Sequence, residues 1–211
     1  MTAITFPNCG FIKFKLNESQ LYQVKQEIAE IQTDFSKATP WNDKLAGNLQ
    51  REFKLSDITT NDLEKHILPK TQEFEENFGM IPQEVNSIFK NRHKLSLGVS
   101  WVNFQKKGEF NPLHNHDGVL SFALWIRMPY NIKAEQELIG SKYSNTPVPG
   151  HFQFVYSSAV GQSQCYDIPC DEMMEGYGIL FSSKQLHCVY PFYTSDEYRI
   201  SVSGNFYFEE E

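Results

Sequence analysis

The stretch His114-Asn115-His116-Asp117-Gly118-Val119-Leu120-Ser121-Phe122-Ala123-Leu124-Trp125-Ile126-Arg127-Met128 joins three metal-binding side chains to a long apolar run that Pro129 closes. Strand side chains alternate between faces, so His114 and His116 point one way while Asn115 and Asp117 point the other. Two imidazoles on one face can share an ion. With six histidines in 211 residues a His-x-His arises by chance roughly 0.2 times, so the pair alone is a weak signal. The run behind it, residues 119–128, reads as a buried strand with Ser121, Ala123, Trp125 and Arg127 on one face.

Further along, Ile179-Leu180-Phe181 predicts another apolar strand, and His187 follows it. A last strand over residues 198–206 places Arg199, Ser201, Ser203 and Asn205 on one face. A polar row containing an arginine is costly inside a core unless something anionic meets it. A bound carboxylate would meet it.

Upstream, Leu95, Leu97, Val99, Trp101 and Asn103 alternate with smaller residues, predicting a strand with Asn103 on its apolar face. Before it the period is helical. Asn17 caps a helix whose buried stripe is Leu21, Val24, Ile28, Ile31 and Phe35. A second helix opens at Asn61-Asp62, runs through Leu63, Ile67, Phe74 and Phe78 and ends at Gly79, with Pro69 kinking or splitting it. Residues 4–16 predict a first strand, 38–57 mainly loop anchored by Trp41, and a short helix or turn follows Pro82. Residues 130–150 are polar and without period, which suggests a lid. His66 and His93 are expected at the surface; His151, which begins a strand, could approach the site.

The length suits a single domain with its own core. With 14% aromatic residues the composition favours sheet-rich packing, and Trp101, Trp125 and Tyr143 are candidates to line a cleft. A net charge of −7 opposes binding to a phosphate backbone, so nucleic acid is not an expected partner. Cysteines 9, 165, 170 and 188 form no Cys-x-x-Cys pair and are read as reduced. No signal-like or membrane-spanning run is present, so a soluble, cytoplasmic protein is expected, with oligomeric state left open.

Taken together, His-x-His, the strand ending at Pro129, Ile179-Leu180-Phe181, His187, and Arg199-Ile200-Ser201 twelve residues later resemble the Fe(II)- and 2-oxoglutarate-dependent oxygenases. Within them the chain is similar to the prolyl-hydroxylase-like branch and to small bacterial and phage members. The resemblance spans residues 95–208. It implies a mainly β fold with N-terminal helices (residues 1–94) and a double-stranded β-helix core, a cupin-like jelly roll (95–208), making one oxygenase domain of 1–211. By the same resemblance His114 and His187 ligate iron, Arg199 with Ser201 binds the distal carboxylate of 2-oxoglutarate, and the reaction hydroxylates a prolyl, other peptide or small-molecule C–H bond. Succinate and CO2 are then the co-products, with ascorbate as accessory reductant. Asn103 reaching the cosubstrate is an inference from strand facing.

The family pattern is His-x-Asp, and here the Asp position is His116. Three arrangements are open. His116 ligates and gives a three-His site, which strand alternation favours; Asp117 swings in through a bulge; or neither binds. A three-His iron dioxygenase that does not use 2-oxoglutarate and a non-enzymatic cupin-like binding module are the rival functions, and Arg199-x-Ser201 discriminates against both.

Overall fold

The computed structural model describes residues 10–79, 94–158 and 161–209. The expectations at residues 4–9, after Pro82 and at His93 lie outside them. Two antiparallel sheets face each other. The larger runs β1-β9-β6-β11-β4-β3-β2 and the smaller β5-β10-β7-β8. The strands are β1 Phe11–Lys15, β2 Thr39–Pro40, β3 Glu52–Lys54, β4 Leu95–Gln105, β5 Asn111–His114, β6 Leu120–Arg127, β7 His151–Ser157, β8 Ser163–Pro169, β9 Tyr177–Ser182, β10 His187–Val189 and β11 Arg199–Phe208. This is the double-stranded β-helix the sequence suggests.

Two helices cover the outer face of the large sheet. In α1 (Glu18–Thr33) Asn17 and Gln20 form a reciprocal capping box, and Leu21, Val24, Ile28 and Ile31 are buried as their spacing requires. Helix α2 (Asp57–Phe78) starts four residues before Asn61, because Ser56 rather than Asn61 accepts the capping amide, from Thr59. Pro69 lies inside it without splitting it, and Gly79 ends it at φ 71. The helix docks on β4 through polar contacts: Thr60 Oγ1 meets Ser100 Oγ at 2.7 Å, and Glu64 accepts from Leu97 N at 3.1 Å.

That last bond has a cause. β11 pairs Gly204 with Ser100 but Phe206 with Leu97, so β4 carries an extra residue at Gly98–Val99. The bulge reverses the facing. Leu95 and Leu97 join Val102 and Phe104 in the helix-side core, while Val99, Trp101, Asn103 and Gln105 line the cavity between the sheets. Simple alternation over the whole strand, as the sequence suggests, therefore holds only from Val99 onward. A second bulge, opposite Ile200/Ser201, interrupts β6 near Ile126. Ala123 and Trp125 keep the inner face, but Arg127 turns outward to Glu197 at 3.1 Å.

Residues 38–57 are more structured than a loop. β3 adds to the edge of the large sheet, pairing Glu52 with Asn103 and Phe53 with Val102. Residues 130–150 fold into a short helix, Ile132–Gln136, whose fully buried Glu135 accepts from the Tyr193 and Thr194 amides, each at 2.8 Å. None of these residues lines the inter-sheet cavity. Its rim is built instead by Trp41, Lys44, Leu45, Ala46, Gly47 and Leu49.

Candidate active site

The cavity between the sheets measures about 430 Å³. His114 reaches it from the end of β5 and His187 from the start of β10, which pair directly with each other. His116 stands just beyond β5, held by its own amide on Ser183 O at 2.8 Å and by Lys184 Nζ on its carbonyl at 3.0 Å. The three side chains converge. His116 Nε2 lies 3.1 Å from His114 Nε2 and 3.2 Å from His187 Nε2.

Their far nitrogens fix the protonation pattern. His114 Nδ1 donates to Pro112 O at 2.7 Å and His187 Nδ1 to Gln185 O at 2.9 Å, because a carbonyl can only accept. His116 Nδ1 donates to Asn205 Oδ1 at 3.0 Å, and Ser121 Oγ donates to that same oxygen at 2.7 Å. With the protons at Nδ1, the three Nε2 atoms present lone pairs to one another. Such an arrangement is unfavourable unless a cation sits among them, and it is how metal-binding imidazoles are oriented. Burial and mutual proximity also lower the basicity of the rings, His116 to about 4 and His187 well below its ordinary value, so at neutral pH they are in the ligand form. Asp117 is exposed at the cavity mouth and does not join the cluster.

Arg199 is 2% exposed and opens onto the same cavity, with Nε and Nη1 buried and unpartnered among the described residues. Ser201, Ser203 and Asn205 follow on the same face, as alternation predicts. Asn103 Nδ2 reaches Ser201 Oγ at 3.4 Å, and its Oδ1 is unpartnered. The donor set therefore fits both parts of an iron and 2-oxoacid centre: clustered imidazole lone pairs, and a buried guanidinium without an anion.

Trp101 stacks on His116 with ring centroids 5.7 Å apart, and Trp125 also lines the cavity. Tyr143 does not; it is 83% exposed. His151 is buried on β7 but outside the cavity, with both ring nitrogens unpartnered among the described residues, and His66 is half-buried near Asp62 on α2.

Sequence reasoning missed Glu52, Asn111 and Asn205. Asn205 was visible on the polar face but had no partner until β6 was placed beside it. Glu52 was hidden in a segment read as loop. It is 1% exposed, and burial, with the nearby Glu109 charge, raises its pKa to about 7. The folded state thus holds this proton where the unfolded chain, near 4.5, has lost it, so the stability Glu52 contributes falls as pH rises from about 4.5 to about 7. Glu52→Gln removes that loss. In ligand-free protein the variant should gain on the wild type across this window, reaching an advantage on the order of 2 kcal/mol above it, read by urea unfolding at several pH values. A constant difference across pH would contradict the raised pKa of this buried carboxylate.

The comparisons with known proteins agree with this geometry. The family model described as "Putative 2OG-Fe(II) oxygenase" matches residues 99–205. The chain belongs to the 2-oxoglutarate- and Fe(II)-dependent oxygenase family. It is therefore an enzyme of the non-haem iron dioxygenase class, with Fe(II) and 2-oxoglutarate as its cofactor and cosubstrate. No curated protein sequence matches the oxygenase. Among solved structures it is similar to a prolyl-4-hydroxylase from Pseudomonas putida (14% identity, 96% of this chain and 94% of that one, TM-score 0.54). It also resembles the alpha-ketoglutarate-dependent epimerase SnoN of nogalamycin biosynthesis (12%, 94% and 77%, TM-score 0.56) and AviO1 from Streptomyces viridochromogenes Tue57 (10%, 97% and 91%, TM-score 0.55). At such identities the likeness concerns the fold. No helix of the described residues is long and apolar enough to cross a membrane.

Proposed function

We propose that the oxygenase hydroxylates a C–H bond of a small molecule or peptide side chain, with His114, His116 and His187 holding Fe(II) and Arg199 anchoring 2-oxoglutarate. The observation that carries this reading is the unpartnered, buried Arg199 in the same cavity as the three convergent Nε2 atoms. When bound, the iron supplies oxidative decarboxylation of 2-oxoglutarate to succinate and CO2 and delivery of one oxygen atom to substrate.

The chain's own residues do the rest. Pro112 O, Gln185 O and Asn205 Oδ1 orient the imidazoles. The Arg199 fork donates to the distal carboxylate, and Ser201 adds a donor beside it. Trp101 and Trp125 wall the cavity and exclude water around the reacting carbon. Three neutral ligands leave the Fe(II) centre one unit more positive than a two-His-one-carboxylate site. A bound complex of alpha-ketoglutarate and Fe3+ is named for SnoN, which supports the same pairing here. A dioxygenase without 2-oxoglutarate, or a binding module, leaves the Arg199 charge unexplained.

The test is succinate formation from 2-oxoglutarate by protein purified without oxygen, given Fe(II) and ascorbate, then air. Wild-type protein and Asp117→Ala should both turn over, within about threefold of each other, while His116→Ala falls by more than about 100-fold. The reverse pattern would move the third ligand to Asp117. Failure of the metal-loaded wild type to bind 2-oxoglutarate at all would remove the assignment.

A further inference from the structure

One end of the cavity is built from acceptors. Across the large sheet, Glu52 pairs with Asn103, Asn103 with Ser201 and Ser201 with Trp125, so these four form a row. Their side chains all line the cavity. Asn103 Oδ1 is buried and unpartnered, and Asn111 Oδ1, entering from β5, is in the same state. Glu52 Oε2 has only a long contact to Asn42 Nδ2, at 3.4 Å. A Cβ placed on Gly47 would stand 2.8 Å from Glu52 Oε1 and 3.1 Å from Asn111 Oδ1. Gly47 has no positive φ, so its backbone does not demand glycine. A side chain there would crowd both oxygens and Leu49 Cδ1, at 3.0 Å, so glycine is what lets Glu52 and Asn111 close in at this place.

Two buried, unpartnered amide oxygens and a carboxylate held by one long contact call for a ligand rich in N–H donors. The opening presents acceptor oxygens, so it suits a hydrogen-bond donor rather than the carboxylates of 2-oxoglutarate. Glu109, close enough to raise the Glu52 pKa, makes this end more negative still. The cation on the rim, Lys44, pairs with Asp43 at 3.0 Å. Trp41 also lines the cavity.

From this arrangement we infer that the substrate carries a protonated amine, which docks between Glu52, Asn111 and Asn103 beside Gly47. The inference rests on the oxygenase reading for the word substrate, but the amine site itself does not depend on iron. Such a group holds the molecule by its charged end and presents a carbon farther along it to the three histidines. In this arrangement Arg199 pairs with 2-oxoglutarate and Glu52 with the amine.

Two matched pairs of probes test this on the full-length protein loaded with Zn(II), with and without 2-oxoglutarate. They are pentylamine against 1-pentanol, and Nα-acetyl-lysine methylamide against its norleucine counterpart. Ligand-observed NMR should show the amine of at least one pair binding about tenfold more tightly than its neutral partner. The first pair reports a free amine and the second a peptide side chain. Glu52→Gln, which keeps shape and removes charge, should bring the two members within about twofold. Gly47→Ala, which fills the opening and leaves the charge, should do the same. Equal behaviour within both pairs, whether both members bind or neither does, overturns the inference, as does a preference that survives Glu52→Gln. Binding of 2-oxoglutarate is read separately in the same samples, so loss of the cosubstrate reading and loss of the amine site are distinct results.

Discussion

Replacing His187 with alanine should abolish stoichiometric Fe(II) binding and lower succinate formation by more than about 10³-fold, because changes to groups that merely orient a ligand already cost 10–100-fold. The substitution removes one of three lone pairs and uncouples the other two. β10 pairs with both β5 and β7, so His187 stands opposite both His114 and Phe154. Its ring stacks on Phe152 with centroids 5.2 Å apart and planes within 10°. Alanine therefore also leaves a void between the sheets, at a cost of about 2 kcal/mol or more. A folding defect would imitate a chemical one, so His187→Gln, which keeps most of the volume, is the companion. Both variants should show native circular dichroism while metal content, measured after desalting, drops below one equivalent. Full metal content in His187→Ala would mean that the ion is held without a ligand from β10.

How much of this was legible in the chain depends on what a one-dimensional pattern can carry. The helical stripe of Leu21, Val24, Ile28 and Ile31 and the polar row Arg199, Ser201, Ser203 and Asn205 were readable because each face belongs to one unbroken element. Period alone places such residues. The β4 facing was misread because a bulge at Gly98–Val99 costs one residue of register, and nothing local announces it except a glycine. A second bulge at Ile126 takes Arg127 off the face of Ala123 and Trp125, at the strand end, where it meets the carboxylate of Glu197.

The cavity rim was misassigned for a different reason. Residues 130–150 are long, polar and aperiodic, but the buried Glu135 ties them to the Tyr193 and Thr194 amides, a pairing across 58 and 59 positions of sequence. The true rim, around Trp41 and Gly47, follows a two-residue strand and precedes a three-residue one, too short for alternation to reveal. Glu52 became meaningful only when pairing set it beside Asn103. His114 and His187 were expected together from the resemblance, whereas His116 was favoured by strand alternation with Asp117 left as the alternative. What the resemblance could not supply was the pattern of Nδ1 acceptors, which depends on carbonyls at Pro112 and Gln185 and on an amide from the last strand.

Arg199→Met should have two opposite effects, and their combination is the sharper test. Without 2-oxoglutarate the wild-type protein carries a guanidinium that is 2% exposed with two nitrogens unpartnered, so folding includes a desolvation cost that nothing offsets. Methionine has comparable reach and no charge. The ligand-free variant should be more stable than wild type by about 1–3 kcal/mol. Cosubstrate affinity moves the other way. Losing a buried, bidentate carboxylate partner costs about 3–5 kcal/mol, which is affinity weaker by about 10²- to 10⁴-fold. Saturating 2-oxoglutarate therefore stabilises the metal-loaded wild type, by about 2.7 kcal/mol at 100 times its dissociation constant, and leaves the variant nearly unmoved. Arg199→Lys falls between, because an ammonium keeps the charge but cannot present the planar fork. If instead Arg199→Met destabilises the free protein and binds 2-oxoglutarate normally, Arg199 is a structural residue satisfied by groups within the chain, and the anion site must be sought elsewhere in the cavity.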